Sequence, residues 1–158
     1  MIYELHNGNG KVKEYNWNGR LIYEGEYING ERNGFGREYG YNGKLEFEGD
    51  YLNGKRNGKG KIYFDDLLIF EWEFSNDIRN GKGKEYLDGK LVFEGEYLNG
   101  IRNGYGKEYI EGILVFNGKY SNGVQRGKGK EYFQGKLIFE GEYINGKRKR
   151  KEIGGLGS

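Results

Sequence analysis

The stretch that decides the fold is Phe93-Glu94-Gly95-Glu96-Tyr97-Leu98-Asn99-Gly100-Ile101-Arg102-Asn103-Gly104-Tyr105-Gly106-Lys107-Glu108-Tyr109. Its first part alternates with a period of two. Leu91, Phe93, Gly95 and Tyr97 point one way while Val92, Glu94 and Glu96 point the other, as in a half-buried β-strand. A loop rich in asparagine and glycine, residues 99 to 104, leads to a second strand, Tyr105 to Tyr109. Asn-Gly between alternating segments is a strong hairpin signal, because the tight turn needs positive φ at both central residues. The stretch therefore predicts one β-hairpin.

The hairpin is copied along the chain. The tract from Phe93 to Gly100 recurs at Tyr23, Phe47 and Phe139, and more loosely at Phe70 and Phe116, with spacings of 24, 23, 23, 23 and 23 residues. The one longer spacing comes from Gly40-Tyr41-Asn42-Gly43, where other units have a two-residue turn such as Asp88-Gly89 or Glu111-Gly112. A partial unit precedes these, with Tyr3 aligned to Tyr27, and the last unit stops half-way. Self-similarity at a fixed short period marks a repeat array in which neighbouring units complete one another's core. The expected fold is all-β: an elongated single antiparallel meander of repeated hairpins, an open-ended rod of about thirteen strands and about 60 Å. Its expected bounds are 1–152, and residues 153–158 read as a linker or tag-like tail.

Composition agrees. Among 158 residues there are 31 glycines, no proline, no cysteine, no alanine and no threonine, so a helical bundle is excluded. The glycine has no three-residue period, which excludes collagen. Hydrophobic content of 35% would suggest disorder, but 16% aromatic residues give the chain large rings to bury. The formal charge of +2 gives no general attraction to nucleic acid, which is not expected as a partner. Without cysteine, disulfides, thiolate metal sites and cysteine catalysis are excluded. With no long apolar run or signal-peptide pattern, a cytoplasmic chain is expected, peripheral to membrane or cytoskeleton at most.

Three columns are aromatic in every complete unit. Tyr23, Phe47, Phe70, Phe93, Phe116 and Phe139 form the first, and Tyr27, Tyr51, Phe74, Tyr97, Tyr120 and Tyr143 the second. On the return strands Tyr15, Tyr39, Tyr63, Tyr86, Tyr109 and Tyr132 form the third. Glycine between the first two columns leaves a slot that a neighbouring ring can fill, predicting a stacked aromatic core. Acidic residues such as Glu24, Glu48, Asp50, Glu94 and Glu96 occupy the other side of the first strands. Arg37, Lys61, Lys84, Lys107 and Lys130 are expected opposite them.

The run aromatic-Glu-Gly-Glu-Tyr, then x-Asn-Gly, then Gly-x-Gly-x-x-Tyr, at a 23-residue period, resembles the MORN repeat. The resemblance covers residues 1 to 150, although Tyr or Phe stands where that family commonly has Trp. It implies a twisted, grooved sheet acting as a non-catalytic scaffold or adaptor, often dimeric, here through sheet edges. It also implies two other roles: lipid binding, and the antitoxin-like modules of the bacterial MORN-like branch.

Catalysis is not expected. The serines, Ser75, Ser121 and Ser158, lie in turns or the tail, His6 is the lone histidine, and no calcium-loop spacing occurs. No cofactor or metal is implied. The Glu-x-Glu pairs recur in nearly every unit, which suits a ladder rather than one acid–base pair. The expected function is docking of a protein partner, as a peptide or helix, along an aromatic groove. Candidate contacts are Phe70, Trp72 and Phe74, where Trp72 replaces the column glycine, together with Phe93 and Tyr97. Phe35 and Tyr105 join them, at a position that varies between ring and lysine (Lys59, Lys82, Lys128). The alternative is an anionic lipid surface held by Lys147, Arg148, Lys149, Arg150 and Lys151.

Overall fold

A computed structural model describes residues 2–150, with side chains from residue 7 onward. All regular elements among them are strands: β1 (Ile2–His6), β2 (Asn9–Tyr15), β3 (Leu21–Ile28), β4 (Glu31–Tyr39), β5 (Leu45–Leu52), β6 (Lys55–Phe64) and β7 (Leu67–Ser75). There follow β8 (Ile78–Leu87), β9 (Lys90–Leu98), β10 (Ile101–Ile110), β11 (Ile113–Ser121), β12 (Val124–Phe133), β13 (Lys136–Ile144) and β14 (Lys147–Arg148). They pair in sequence order as one open antiparallel sheet of 14 strands. The count exceeds the expected thirteen because Lys147–Arg148 begins a return strand on β13. The tail at 153–158 and Lys151 lie outside the described residues.

The turns follow the sequence signals. Asn99 and Gly100 sit at φ 51° and 81°, the left-handed pair that a two-residue hairpin needs. In the third unit two aspartates take the second turn position, Asp66 at φ 66° and Asp77 at φ 67°, at some strain cost. The hairpins β3–β4, β5–β6, β7–β8, β9–β10 and β11–β12 are also irregular inside. The register passes from Arg102↔Tyr97 to Gly106↔Gly95, so Asn103, Gly104 and Tyr105 together oppose Glu96. Gly104 absorbs this bulge at φ 105°.

Directly paired residues share a face. Phe93 pairs with Glu85 and Glu108, so the first two ring columns lie on one face with those glutamates. Glu94 pairs with Lys84 and Lys107, so the charged ladder lies on the other. The core is the ring ladder: Phe93 is wholly buried and meets Tyr97 and Tyr120 edge-on, at 5.9 and 5.3 Å between centroids. Close packing of rings against backbone explains the glycine column. A Cβ on Gly106 would lie 2.6 Å from the Phe93 ring and 3.0 Å from that of Tyr120. The first unit departs as expected for an end: Val12, buried, stands in this column opposite Gly25.

Candidate protein-docking groove

A single-layer sheet has no second layer to cover its rings, so the rings need another cover. Arginine supplies it. The guanidinium of Arg32 lies 4.1 Å over Tyr23, Arg56 4.1 Å over Phe47, Arg102 3.8 Å over Phe93 and Arg148 4.3 Å over Phe139. Each also pairs with a glutamate of the preceding return strand: Arg32 with Glu14, Arg56 with Glu38, Arg102 with Glu85 and Arg148 with Glu131. The same carboxylates accept hydrogen bonds from second-column phenols, Tyr27 to Glu14, Tyr51 to Glu38 and Tyr97 to Glu85. Burial pushes the Glu38 carboxyl up, but hydrogen bonds from Arg56 and Tyr51 outweigh it and hold it below its ordinary value.

The third unit keeps the arginine of this trio and replaces its other two members. Phe74 lacks the hydroxyl, Ile62 stands where the other units have glutamate, and Arg79 lies 4.0 Å over the ring of Trp72. Trp72 stacks on Phe70 at 4.0 Å and 20°. The apolar substitution of the glutamate by Ile62 is thus matched by that of the phenol by Phe74, leaving no orphaned carboxylate or hydroxyl, while Arg79 keeps its place over a ring.

The charged face carries the opening. Its third-column tyrosines are half-buried and donate to first-strand glutamates: Tyr39 to Glu24 at 2.6 Å, Tyr63 to Glu48 at 2.9 Å, Tyr86 to Glu71 at 2.9 Å and Tyr109 to Glu94 at 2.6 Å. Burial first, and these carboxylates second, push the four phenols up to about 12. Beside this row runs a groove of about 770 Å³, with a further hollow of about 420 Å³ continuing past Tyr105. Column glycines such as Gly60, Gly83 and Gly106 form its floor, alternating glutamate and lysine form its sides, and Phe35 and Tyr105 stand in it 44% and 59% exposed.

The candidate residues therefore separate. Phe35 and Tyr105, with Lys59, Lys82 and Lys128, line the opening. Phe74, Phe93 and Tyr97 are buried in the ladder on the opposite face, and Phe70 is partly buried there. The expectation that these rings line the docking groove is corrected: a single sheet has to bury them against each other. Trp72 borders the groove but is 5% exposed, its ring packed among the ladder rings. In the basic cluster Lys147, Arg148, Lys149 and Arg150 are exposed. Arg148, however, belongs to the ring-covering column, and Lys149 lies 3.9 Å from Glu142. Among the described residues no group of metal-ligating side chains comes together.

Two features went unread in the sequence although their signal was there, in the recurring Arg-Asn-Gly triplet. The arginine covers the ring. The asparagine side chain accepts the backbone N–H of the next unit's turn, as Asn33 does from Asn53 at 3.2 Å and Asn80 from Asn99 at 3.3 Å. The unit is thus locked to its successor by side chains as well as by the sheet ladder.

The family described as MORN repeat matches residues 23–44, 47–67, 73–89, 93–111, 116–136 and 139–150. The chain belongs to the MORN repeat family. Six MORN units in one open sheet account for the ring columns, the phased glycines and the hairpin turns. MORN repeats are in general modules of interaction with proteins or membranes. Among curated proteins, no sequence matches the chain.

Proposed function

We propose that this MORN array is a non-catalytic scaffold that docks a protein partner in the groove of its charged face. The observation that carries this reading is the pair of exposed rings, Phe35 and Tyr105, standing in a trough of about 770 Å³ with a glycine floor and sides of acidic residues and lysines. Trp17, Tyr41, Phe64 and Phe133 are exposed as well, but Phe35 and Tyr105 stand in the concavity, and aromatic anchors in a pocket dominate docking energetics. The Glu–Lys ladder fixes the groove's shape and gives a bound chain alternating charges to match. The basic C-terminal cluster supports an anionic-lipid reading less well, because Arg148 and Lys149 already face Glu131 and Glu142.

The test is capture of partners at physiological salt by the whole chain, compared with the double variant Phe35→Ser with Tyr105→Ser. Both side chains are exposed, so the variant is expected to fold as the parent does. Loss of a stoichiometric protein from the variant supports the groove. Retention of every captured protein by the variant contradicts it.

A further inference from the structure

The charge ladder of the groove has one break, and it is local. Counted across the strands, Arg37, Lys61 and Lys84 each have a carboxylate paired on both sides: Glu24 and Glu48, Glu48 and Glu71, Glu71 and Glu94. The next lysine, Lys107, pairs with Glu94 on one side and with Asn117 on the other. Lys130 follows, paired with Asn117 and Glu140. One row over, Lys119 stands where the other complete units have Glu26, Asp50, Glu73 and Glu96, and pairs across β10 and β11 with Tyr105. The fifth unit is therefore the one whose four positions on this face, Asn117, Lys119, Lys128 and Lys130, hold no carboxylate.

The missing carboxylate had a second task. In the third and fourth units it folds back onto the bulge and accepts a backbone N–H, Glu96 from Tyr105 at 2.6 Å and Glu73 from Lys82 at 3.3 Å. The corresponding N–H of the fifth unit belongs to Lys128, and the side chain at the corresponding place is that of Lys119, which can only donate. The substitution thus removes an acceptor and adds a donor at one point, next to an exposed tyrosine whose ring lies 5.6 Å from the Lys119 ammonium. A hollow of about 420 Å³ opens at the Lys128 bulge, bordered by Tyr105, Asn117, Lys128 and Lys130, with Glu140 and Glu142 on its far wall.

We propose that the groove takes an acidic peptide whose aspartate or glutamate enters the fifth unit. There its carboxylate replaces the one lost at Lys119, accepting from the Lys128 backbone and facing Lys107, Lys119 and Lys130. The inference rests on the groove being the docking surface and specifies the chemistry of what docks. An extended peptide fits better than a flat anionic surface, because Lys107, Lys128 and Lys130 line a trough between walls. Glu140 and Glu142 limit the free positive charge to one side and set the direction in which a phosphate-rich chain would be repelled.

The test uses the whole chain and a fluorescein-labelled peptide of alternating glutamate and glycine, read by anisotropy and by backbone amide shifts. The comparison is the double variant Asn117→Glu with Lys119→Glu. This variant writes the neighbouring units' residues into the fifth, so folding is expected to be kept. The expected result is binding that weakens about tenfold in the variant and falls with added salt, with amide shifts centred on Lys119 and Lys128. Equal binding by both proteins, shifts centred on Lys147 to Arg150, or no binding overturns the proposal. So does tighter binding of oligouridylate or phosphatidylserine vesicles at the same residues. Should the double variant keep a natural partner that the Phe35 and Tyr105 variant loses, the groove stands and the acidic specificity fails. Should both variants keep it, the groove itself fails.

Discussion

At the scale of single residues, the fold depends on where a side chain is absent. Gly106 and Gly112 make the point by contrast. A methyl group on Gly106 would lie 2.6 Å from the Phe93 ring, whereas Gly112, at φ 77°, has open space around its Cβ position. Gly106→Ala is expected to cost about 1–3 kcal/mol by overpacking the core, and Gly112→Ala about 1 kcal/mol from the left-handed backbone alone. Thermal unfolding of the two variants checks the order. If Gly112→Ala proves the more damaging, the slot reading of the glycine column is wrong. The trio behind the rings offers a second contrast. Tyr51→Phe removes one donor from Glu38 and leaves Arg56 paired, for about 1 kcal/mol. Glu38→Ala strands both Arg56 and the Tyr51 hydroxyl and is expected to cost roughly twice that or more. Denaturant unfolding measures both, and equal costs would mean that the carboxylate is not the centre of the trio.

At the scale of the hairpin, turn chemistry can be separated from what side chains do between units. Asp66 and Asp77 have almost the same strained backbone. Asp66 faces only Lys44 at 3.8 Å, while the carboxylate of Asp77 accepts the Arg56 backbone N–H at 2.8 Å and its own N–H donates back to the Arg56 carbonyl. Asp66→Gly is therefore expected to stabilise the protein by about 0.5–1 kcal/mol. Asp77→Gly should show little or no gain, because it loses a bond to the previous unit. A thermal-melting comparison decides it; equal gains would mean that the clamp contributes nothing. The hairpins were legible in the sequence because alternation and Asn-Gly are local signals. The separation of the rings onto two faces was not. Tyr109 and Phe93 look alike in the repeat, but pairing of Phe93 with Glu108 puts the next residue, Tyr109, on the opposite face. Register between strands is what the sequence left open, and it moved the groove from the ladder rings to Phe35 and Tyr105. The arginine cover was visible as a column yet had no meaning until the sheet was seen to be a single layer.

At the scale of the whole molecule, stability is shared between neighbouring units, and so is its response to pH. Tyr27, Tyr39, Tyr63, Tyr86, Tyr109 and Tyr143 are each pushed by burial, and then by a glutamate, from 10.0 up to about 12. A group whose folded value is raised lends stability that is fully present below its unfolded value. That stability is then lost as the pH climbs toward the folded value. The array is expected to be insensitive to pH on this account up to about 10 and to lose stability steeply between about 10 and 12. Circular dichroism during an alkaline titration, with phenolate absorbance followed in parallel, is the check. Tyrosines that ionise near 10 in a still-folded protein would contradict the buried phenol–carboxylate rows.

Which face meets a partner separates the groove from the ring ladder, and the absence of cysteine makes that directly measurable. A photo-crosslinker on the single thiol of Lys82→Cys sits in the groove, and one on Leu87→Cys sits exposed beyond it, on the ladder side of the sheet. Partner captured by the whole chain is predicted to crosslink from position 82 and not from 87. Crosslinking from 87 with none from 82 would contradict the groove and return the binding surface to the face that carries the rings.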